Sequence, residues 1–488
     1  MVNAAPLDKM SSVDTAWLRM DRPHNLMAIC GVLMLDGPLD IKRLRRVVEE
    51  RFLAFPRFRQ RAVERPGFCV WQSDRRFDLD RHLVTTKLSR DAGPRELQSL
   101  VAKLIATPLD RAHPMWQFHC VQRYRGGSAI IARMHHSFAD GIALVRVMLS
   151  MTDSAPEGPA AMPMTRPQRT GSTTDGEDVF EALARPVTQT VRSARDLGAT
   201  LITHGAKIWR NPDEAIRVVN HAKAFTAEIA KLALMREDSP TRFKGKPGTV
   251  KRVAWADPLP LDDVKTIGKA LAASVNDVLL ACVAGALRSY LRDKGEAVDG
   301  LMIRALVPVN LRTADDAWKL GNRFGLVFLD LPVGIENPIE RLYALRRNMD
   351  ALKGSPQPLI AMGLLAAMGA GPRVFQETLL TQLARKATAV MTNVPGPQQP
   401  LYLAGSKIDR LLFWVPQSGN LGIGVSILSY NGEVQFGLVT DERLCPDPQR
   451  IIARFATEFE NLVLTTLMAP WPREGQLQPA TAEALLGT

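Results

Sequence analysis

The sequence lacks the features that would place it in several familiar classes. Its five cysteines (Cys30, Cys69, Cys120, Cys282, Cys445) stand singly, with no C-x-x-C among them. That excludes a disulfide framework and points to a reducing, cytoplasmic setting. There is no H-E-x-x-H, so spacing offers no metal site. No apolar run reaches the ~18 residues of a membrane-spanning helix. The longest, Leu359 to Gly371, has 13 residues and stops at Pro372. It reads as a buried helix or as a Met- and Gly-rich wall of an apolar tunnel, since methionine adapts to irregular shapes. No basic segment followed by an apolar one opens the chain, so no signal peptide is expected. No zinc finger, RNP motif or basic recognition helix accompanies the 62 Lys and Arg against 50 Asp and Glu, a formal charge of +12. The excess suits anionic lipid or a polyanionic small molecule better than nucleic acid.

What is present is concentrated in His135-His136-Ser137-Phe138-Ala139-Asp140-Gly141. An apolar, strand-like run from Ser128 to Met134 precedes it, and a helix-like run from Ile142 to Leu149 follows. A strand that turns into a helix holds its turn side chains at a fixed sheet edge. Imidazole, with an ordinary pKa of roughly 6.5, takes and returns a proton near neutrality, so the pair suits a general base. Two other readings stand beside it. The histidines can be buried and satisfied by backbone groups, or they can ligate a metal with His113 and His119.

At 488 residues the chain exceeds one core, and two domains are the expectation. Residues 1–152 alternate helical and strand patterns, with a buried strand at Met27 to Leu35 and an amphipathic helix from Asp40 to Phe55. Residues 153–180 are rich in Pro, Gly, Ser and Thr and read as a linker. Residues 181–245 read as a helical crossover, or as a basic amphipathic surface that docks on a membrane. Strand and helix patterns resume over 246–470, where Asn431-Gly432 signals a hairpin, and 471–488 form a tail.

Several segments in order resemble one family. They are the opening P-L-D-K-M-S-S-V-D-T-A-W-L, then Pro114-Met115-Trp116, then the His135 to Gly141 run. Ser274 to Leu279, Arg304 to Arg312, Gly321 to Gly325 and Thr392 to Pro397 continue the series. Together they are similar to the bacterial wax ester synthase/diacylglycerol acyltransferase family, within the CoA-dependent acyltransferases. Met115 stands where that family usually has Leu.

The resemblance implies an α/β (α+β) fold of two chloramphenicol acetyltransferase-like sandwiched domains, with the active site at their interface. It implies transfer of a long acyl group from acyl-CoA to diacylglycerol or a fatty alcohol, with no cofactor, no metal and no covalent acyl-enzyme. His136 becomes the base, with His135 aiding substrate or shape. Asp140 becomes a buried structural carboxylate, for which Arg304 is the expected partner, and Gly141 lets the following helix approach the substrate. Asn276 is expected to face His136 and polarise the thioester carbonyl, although Asn276 and Asp277 also suit a helix N-terminus. Trp116 and Asn393 read as substrate contacts or, alternatively, as a core anchor and a turn residue. Two rival functions remain: condensation on carrier-bound substrates, and non-catalytic lipid or droplet binding. The location implied is cytoplasmic, with an inner membrane or lipid inclusion as a docking surface.

Overall fold

The structure, a computed structural model, describes residues 8–89, 92–158, 230–232, 234–312 and 320–468. Most of the expected linker (153–180), most of the crossover (181–245) and the tail (471–488) lie outside the described residues. The first half runs β1 (Asp8–Lys9), α1 (Ser12–Met20), β2 (Ala28–Leu35), α2 (Ile41–Val47), β3 (Gln60–Arg65), β4 (Phe68–Ser73), β5 (Leu83–Thr86), α3 (Pro94–Ile105), β6 (Trp116–Tyr124), β7 (Gly127–His135) and α4 (Gly141–Ser150). The second half runs β8 (Lys251–Trp255), β9 (Leu259–Pro260), α5 (Leu261–Ala270), α6 (Val275–Asp293), β10 (Ile303–Asn310), β11 (Phe324–Leu331), α7 (Pro338–Leu352), α8 (Gln357–Ala370) and α9 (Arg373–Arg385). It closes with β12 (Ala389–Pro395), β13 (Tyr402–Leu403), β14 (Ser406–Trp414), β15 (Ile423–Tyr430), β16 (Glu433–Asp441) and α10 (Pro448–Met468).

Two large sheets organise the molecule. The first has the order β13-β14-β2-β7-β6-β5, and the second β11-β10-β12-β15-β16-β8 with β9 added on β16. The first sheet is not built from the first 152 residues alone. β14, from the second half of the sequence, pairs antiparallel with β2 from Trp414↔Cys30 to Ile408↔Leu35. Its apolar end (Leu411 to Trp414) extends the apolar surface of β2, so the two halves share one sheet rather than meeting only at a face. A shared core of Val32, Val101, Val253, Leu412, Trp414 and Val439 lies under that junction.

Local chemistry explains the elements nearest the site. Asp40 caps α2 by accepting from the Arg43 N–H (3.0 Å), and a wide turn, Val48–Phe52, continues it. β7 is buried along its whole length, as its apolar run predicts. The Asn431-Gly432 step joins β15 and β16 with φ of 50° and 78°, the left-handed pair that a two-residue hairpin demands. The apolar run after Leu359 forms α8, and its Gly369 packs so closely on α1 that a Cβ would strike the Ser12 carbonyl oxygen. It is therefore a partner of α1. No single helix among the described residues is long and apolar enough to cross a membrane.

Candidate active site

β7 ends at the two histidines, and backbone bonds hold them after the strand stops. The His135 N–H donates to the Met115 carbonyl (2.9 Å) and the His136 N–H to the Met27 carbonyl (2.7 Å). Asp140 then caps α4 by accepting from the Ala143 N–H (2.9 Å).

His136 is 3% exposed, and one amide from the second half of the sequence fixes its state. The Asn322 Nδ2 donates to Asp14 Oδ1 (2.8 Å) and to the His136 carbonyl (2.8 Å). Both partners are acceptors, so the amide can stand only one way round. Its Oδ1 therefore faces His136 Nδ1 at 2.8 Å, and that nitrogen must carry the proton. Nε2 is left with the lone pair and has no partner among the described residues. Trp17 stacks on the ring, with centroids 4.0 Å apart and planes 10° from parallel. Burial pushes the His136 pKa down to about 4 against the opposing pull of hydrogen bonding and of Asp140, so the ring is neutral at neutral pH. Burial likewise raises the pKa of Asp14, against the bonds it receives from Asn322 and Ser11.

His135 faces elsewhere. Its Nδ1 accepts from the Ser137 N–H (3.1 Å) and lies 2.8 Å from Ser137 Oγ. Its Nε2 is 3.7 Å from Asp21 Oδ2. Burial pushes the Asp21 carboxyl up, but His135, the Met27 N–H and Arg111 outweigh it and bring the carboxyl to about 2. His135 thus ties the turn to the loop before β2, the loop that supplies the Met27 carbonyl to His136.

Asp140 is paired, but not with Arg304. Arg312 donates to Asp140 Oδ2 from Nε (3.1 Å) and Nη2 (2.7 Å), and the Arg323 N–H adds a third bond (2.9 Å). Arg304 pairs instead with Asp330 (2.9 Å). The two arginines mark opposite ends of β10, about 26 Å apart at roughly 3.3 Å per residue, so only one can reach this loop. Arg312 also donates to the carbonyl of Gly321, a residue at φ 114° that favours glycine. The Asp140 N–H donates to the same carbonyl (3.3 Å). The His135 to Gly141 loop of the first half and Arg312, Gly321 and Arg323 of the second are thereby laced together.

The remaining expected residues make their hydrogen bonds with other partners. Among the described residues no hydrogen bond joins Asn276 to His136. Asn276 Oδ1 instead accepts from Asn393 Nδ2, and the Asn276 NH2 has no acceptor among the described residues. Asp277 and Ser274 cap α6 reciprocally, with Asp277 N–H to Ser274 Oγ at 3.1 Å and Ser274 N–H to Asp277 Oδ2 at 2.9 Å. Trp116 is a core anchor rather than a substrate contact. It is fully buried, donates from Nε1 to the Phe58 carbonyl (2.8 Å) and stacks on His82. His113 pairs with Asp74 (2.9 Å) and His119 with Thr86 (3.3 Å), so neither joins the two histidines.

An apolar pocket lies between α4 and the first sheet, lined by Gly141, Ile29, Leu33, Met134, Leu144, Met148 and Leu428 among others. A Cβ added at Gly141 would meet only Val415 Cγ1, at 3.9 Å. The glycine therefore enlarges the cavity and is not required by packing. Asn322, Asp14, Trp17 and Arg312 were not singled out from the sequence. Each lies within a segment that carries the family resemblance, but nothing linear pairs residue 14 with 322 or 140 with 312.

Residues 10–279 match the family model described as the wax ester synthase/diacylglycerol acyltransferase catalytic domain, and residues 320–463 match the WS/DGAT C-terminal domain. A protein of Mycobacterium tuberculosis described as a probable diacylglycerol O-acyltransferase is 27% identical over 458 residues, covering 90% of this chain and 92% of that one. The solved wax ester synthase/diacylglycerol acyltransferase of Marinobacter aquaeolei superposes with a TM-score of 0.66 at 22% identity, covering 95% of this chain and all of that one. The starter condensation domain of rhizomide synthetase shares the fold, with a TM-score of 0.57 at 13% identity over 97% and 98% of the two chains. With both family models matched around this buried histidine, the chain belongs to the wax ester synthase/diacylglycerol acyltransferase family of acyltransferases.

Proposed function

We propose that the protein moves a long-chain acyl group from acyl-CoA to the hydroxyl of diacylglycerol or a fatty alcohol, with His136 Nε2 as general base. The observation that carries this reading is the Asn322 amide, which leaves a neutral ring with its lone pair on Nε2. The acceptor hydroxyl gives its proton to Nε2 as its oxygen attacks the thioester carbonyl. The tetrahedral intermediate collapses, the C–S bond breaks, and the imidazolium returns the proton to the CoA thiolate. Positioned proton transfer of this kind is worth about 10²–10⁴-fold. A low pKa makes the imidazolium quick to give up that proton. The NH2 of Asn276 is assigned to the developing oxyanion, and no acyl-enzyme forms. No cofactor beyond the acyl-CoA substrate is assigned.

The apolar pocket that Gly141 lines supports the long-chain preference, since each buried CH₂ contributes about 0.8 kcal/mol. The same reading assigns a cytoplasmic location with peripheral docking on a membrane or lipid inclusion; lipid-dissolved acceptors and a net positive chain support the docking. The test is to incubate purified protein with palmitoyl-CoA and either hexadecanol or dioleoylglycerol. Free thiol should appear in step with palmityl palmitate or triacylglycerol, and intact mass should stay unacylated. No ester with either acceptor would refute the reading.

A further inference from the structure

The helix α1 brings two of its residues to bear on His136. Asp14 and Trp17 stand three positions apart, so they share one face of α1, and both are buried. Trp17 lies flat against the imidazole. Asp14 reaches the ring through Asn322. Its Oδ1 accepts from the Asn322 Nδ2 (2.8 Å) and from the Asn322 N–H (3.2 Å). The Oδ1 of the same amide takes the proton of His136 Nδ1 as its hydrogen-bond partner (2.8 Å). One neutral amide thus separates a carboxylate from the base. Two N–H donors on a single carboxyl oxygen favour its ionised form and oppose the effect of burial.

The helix that carries Asp14 is held in place from several sides. Ser11 Oγ caps it by accepting from the Asp14 N–H (3.0 Å). Gln376 of α9 donates from Nε2 to the Ala16 carbonyl (2.8 Å). Arg19 donates to the carbonyls of Gly369 (3.3 Å) and Gly371 (3.1 Å) at the end of α8. The other carboxylates beside the two histidines are engaged elsewhere. Asp21 lies by His135 (3.7 Å) and Arg111 (3.1 Å). Asp140 also acts on the His136 ring, but Arg312 sits on it at 2.7 Å and offsets its charge. Asp14 makes no ion pair with a lysine or arginine among the described residues. The guanidinium that bears on it, Arg57, is drawn toward Asp8 (3.9 Å).

We propose that Asp14 is a positioning residue for the base: its carboxylate, acting through the Asn322 amide, stabilises the imidazolium that His136 becomes during acyl transfer. This rests on the acyl-transfer reading above. A neutral amide passes no proton along, so Asp14 stays ionised throughout. The proton moves only from the acceptor hydroxyl to Nε2 and on to the CoA thiolate. As positive charge appears on the buried ring, the amide dipole has its oxygen toward the ring and its NH2 toward the carboxylate. Dipole and carboxylate both lower the energy of that charge, in a site where water screens them little. Trp17 adds an indole face, which attracts a cation. The carboxylate therefore contributes more to the transition state, where the ring is charged, than to the ground state, where it is neutral.

The test is Asp14→Asn, which keeps an acceptor oxygen for Asn322 and removes the charge, made alone and together with Asn322→Ala. Heteronuclear NMR of isotope-labelled histidine should give wild-type His136 ring-nitrogen shifts in Asp14→Asn, showing that ring and tautomer are kept. With palmitoyl-CoA and hexadecanol or dioleoylglycerol, kcat should nevertheless fall about tenfold at unchanged KM, a split that a merely structural role would not produce. In the Asn322→Ala background the same substitution should lower kcat by at most about threefold, because the amide that carries the effect is gone. Asp14→Ser, likewise uncharged, carries the kinetic comparison should Asp14→Asn not fold. Wild-type kcat in Asp14→Asn, or an equal loss in both backgrounds, would overturn the assignment. So would a loss accompanied by the other tautomer, which would make Asp14 only a prop for Asn322. A wild type that forms no ester with either acceptor would instead defeat the acyl-transfer reading, and this assignment with it.

Discussion

Asn322 Oδ1 lies 2.8 Å from His136 Nδ1 while its Nδ2 donates to Asp14, so one amide determines which imidazole nitrogen is basic. Truncation by Asn322→Ala removes that orientation and leaves a buried ring nitrogen unpaired. Losing such a bond is worth about 1–3 kcal/mol, so kcat should fall about 5- to 150-fold with KM for palmitoyl-CoA nearly unchanged. Steady-state kinetics check this. A rise in KM at constant kcat would assign Asn322 to substrate binding instead.

The pH dependence follows from burial. The His136 pKa is depressed to about 4 from an ordinary 6.5. The ring is thus the free base throughout the neutral range, and kcat/KM should hold level from pH 8 down to about 5, falling only as pH passes through about 4. The same shift acts on stability with a definite sign. Above 6.5 this group contributes no pH dependence. Between 6.5 and about 4 the unfolded chain takes up the proton first, so stability declines as pH falls. A kinetic limb centred on 6.5 would show a solvated histidine and contradict the geometry.

Asp140 and Arg312 form a buried pair, 6% and 2% exposed at their side chains. Asp140→Ala strands the guanidinium and should lower unfolding stability by about 3–5 kcal/mol. Arg304→Ala should lose only about 1–2 kcal/mol, since its partner Asp330 is 45% exposed. Denaturant titration of both variants distinguishes the pairings, and the reverse ranking would restore Arg304.

Gly141→Ala should be tolerated by the fold, because the new methyl meets nothing closer than 3.9 Å. It takes up room in the pocket that Gly141 lines. The kcat/KM for palmitoyl-CoA should therefore fall relative to that for octanoyl-CoA, with melting temperature unchanged or raised. Equal effects on both chain lengths would separate Gly141 from the acyl path.

The sequence made the local features plain. The apolar strand before His135, the helix after Gly141 and the Asn431-Gly432 turn each depend on neighbours within a few residues, and each is seen where expected. The pairings across the chain were not legible. Nothing in a linear pattern distinguishes Arg304 from Arg312 as the partner of Asp140, because the choice depends on which end of β10 meets the loop. Trp116 and Asp277 carry the residue types of a binding site, yet tertiary packing uses one as a core anchor and the other as a cap. The strand that β14 lends to the first sheet was likewise hidden, since its partner β2 lies nearly 380 residues earlier.

The most direct test of the account is thiol release from palmitoyl-CoA in the presence of hexadecanol or dioleoylglycerol by His136→Ala beside wild type. Circular dichroism on the same samples establishes that the fold is kept. The account predicts acceptor-dependent release by wild type and a loss of about 10²–10⁴-fold in the variant. Equal release by the two proteins would contradict it, because the proton would then have to leave by some group other than His136.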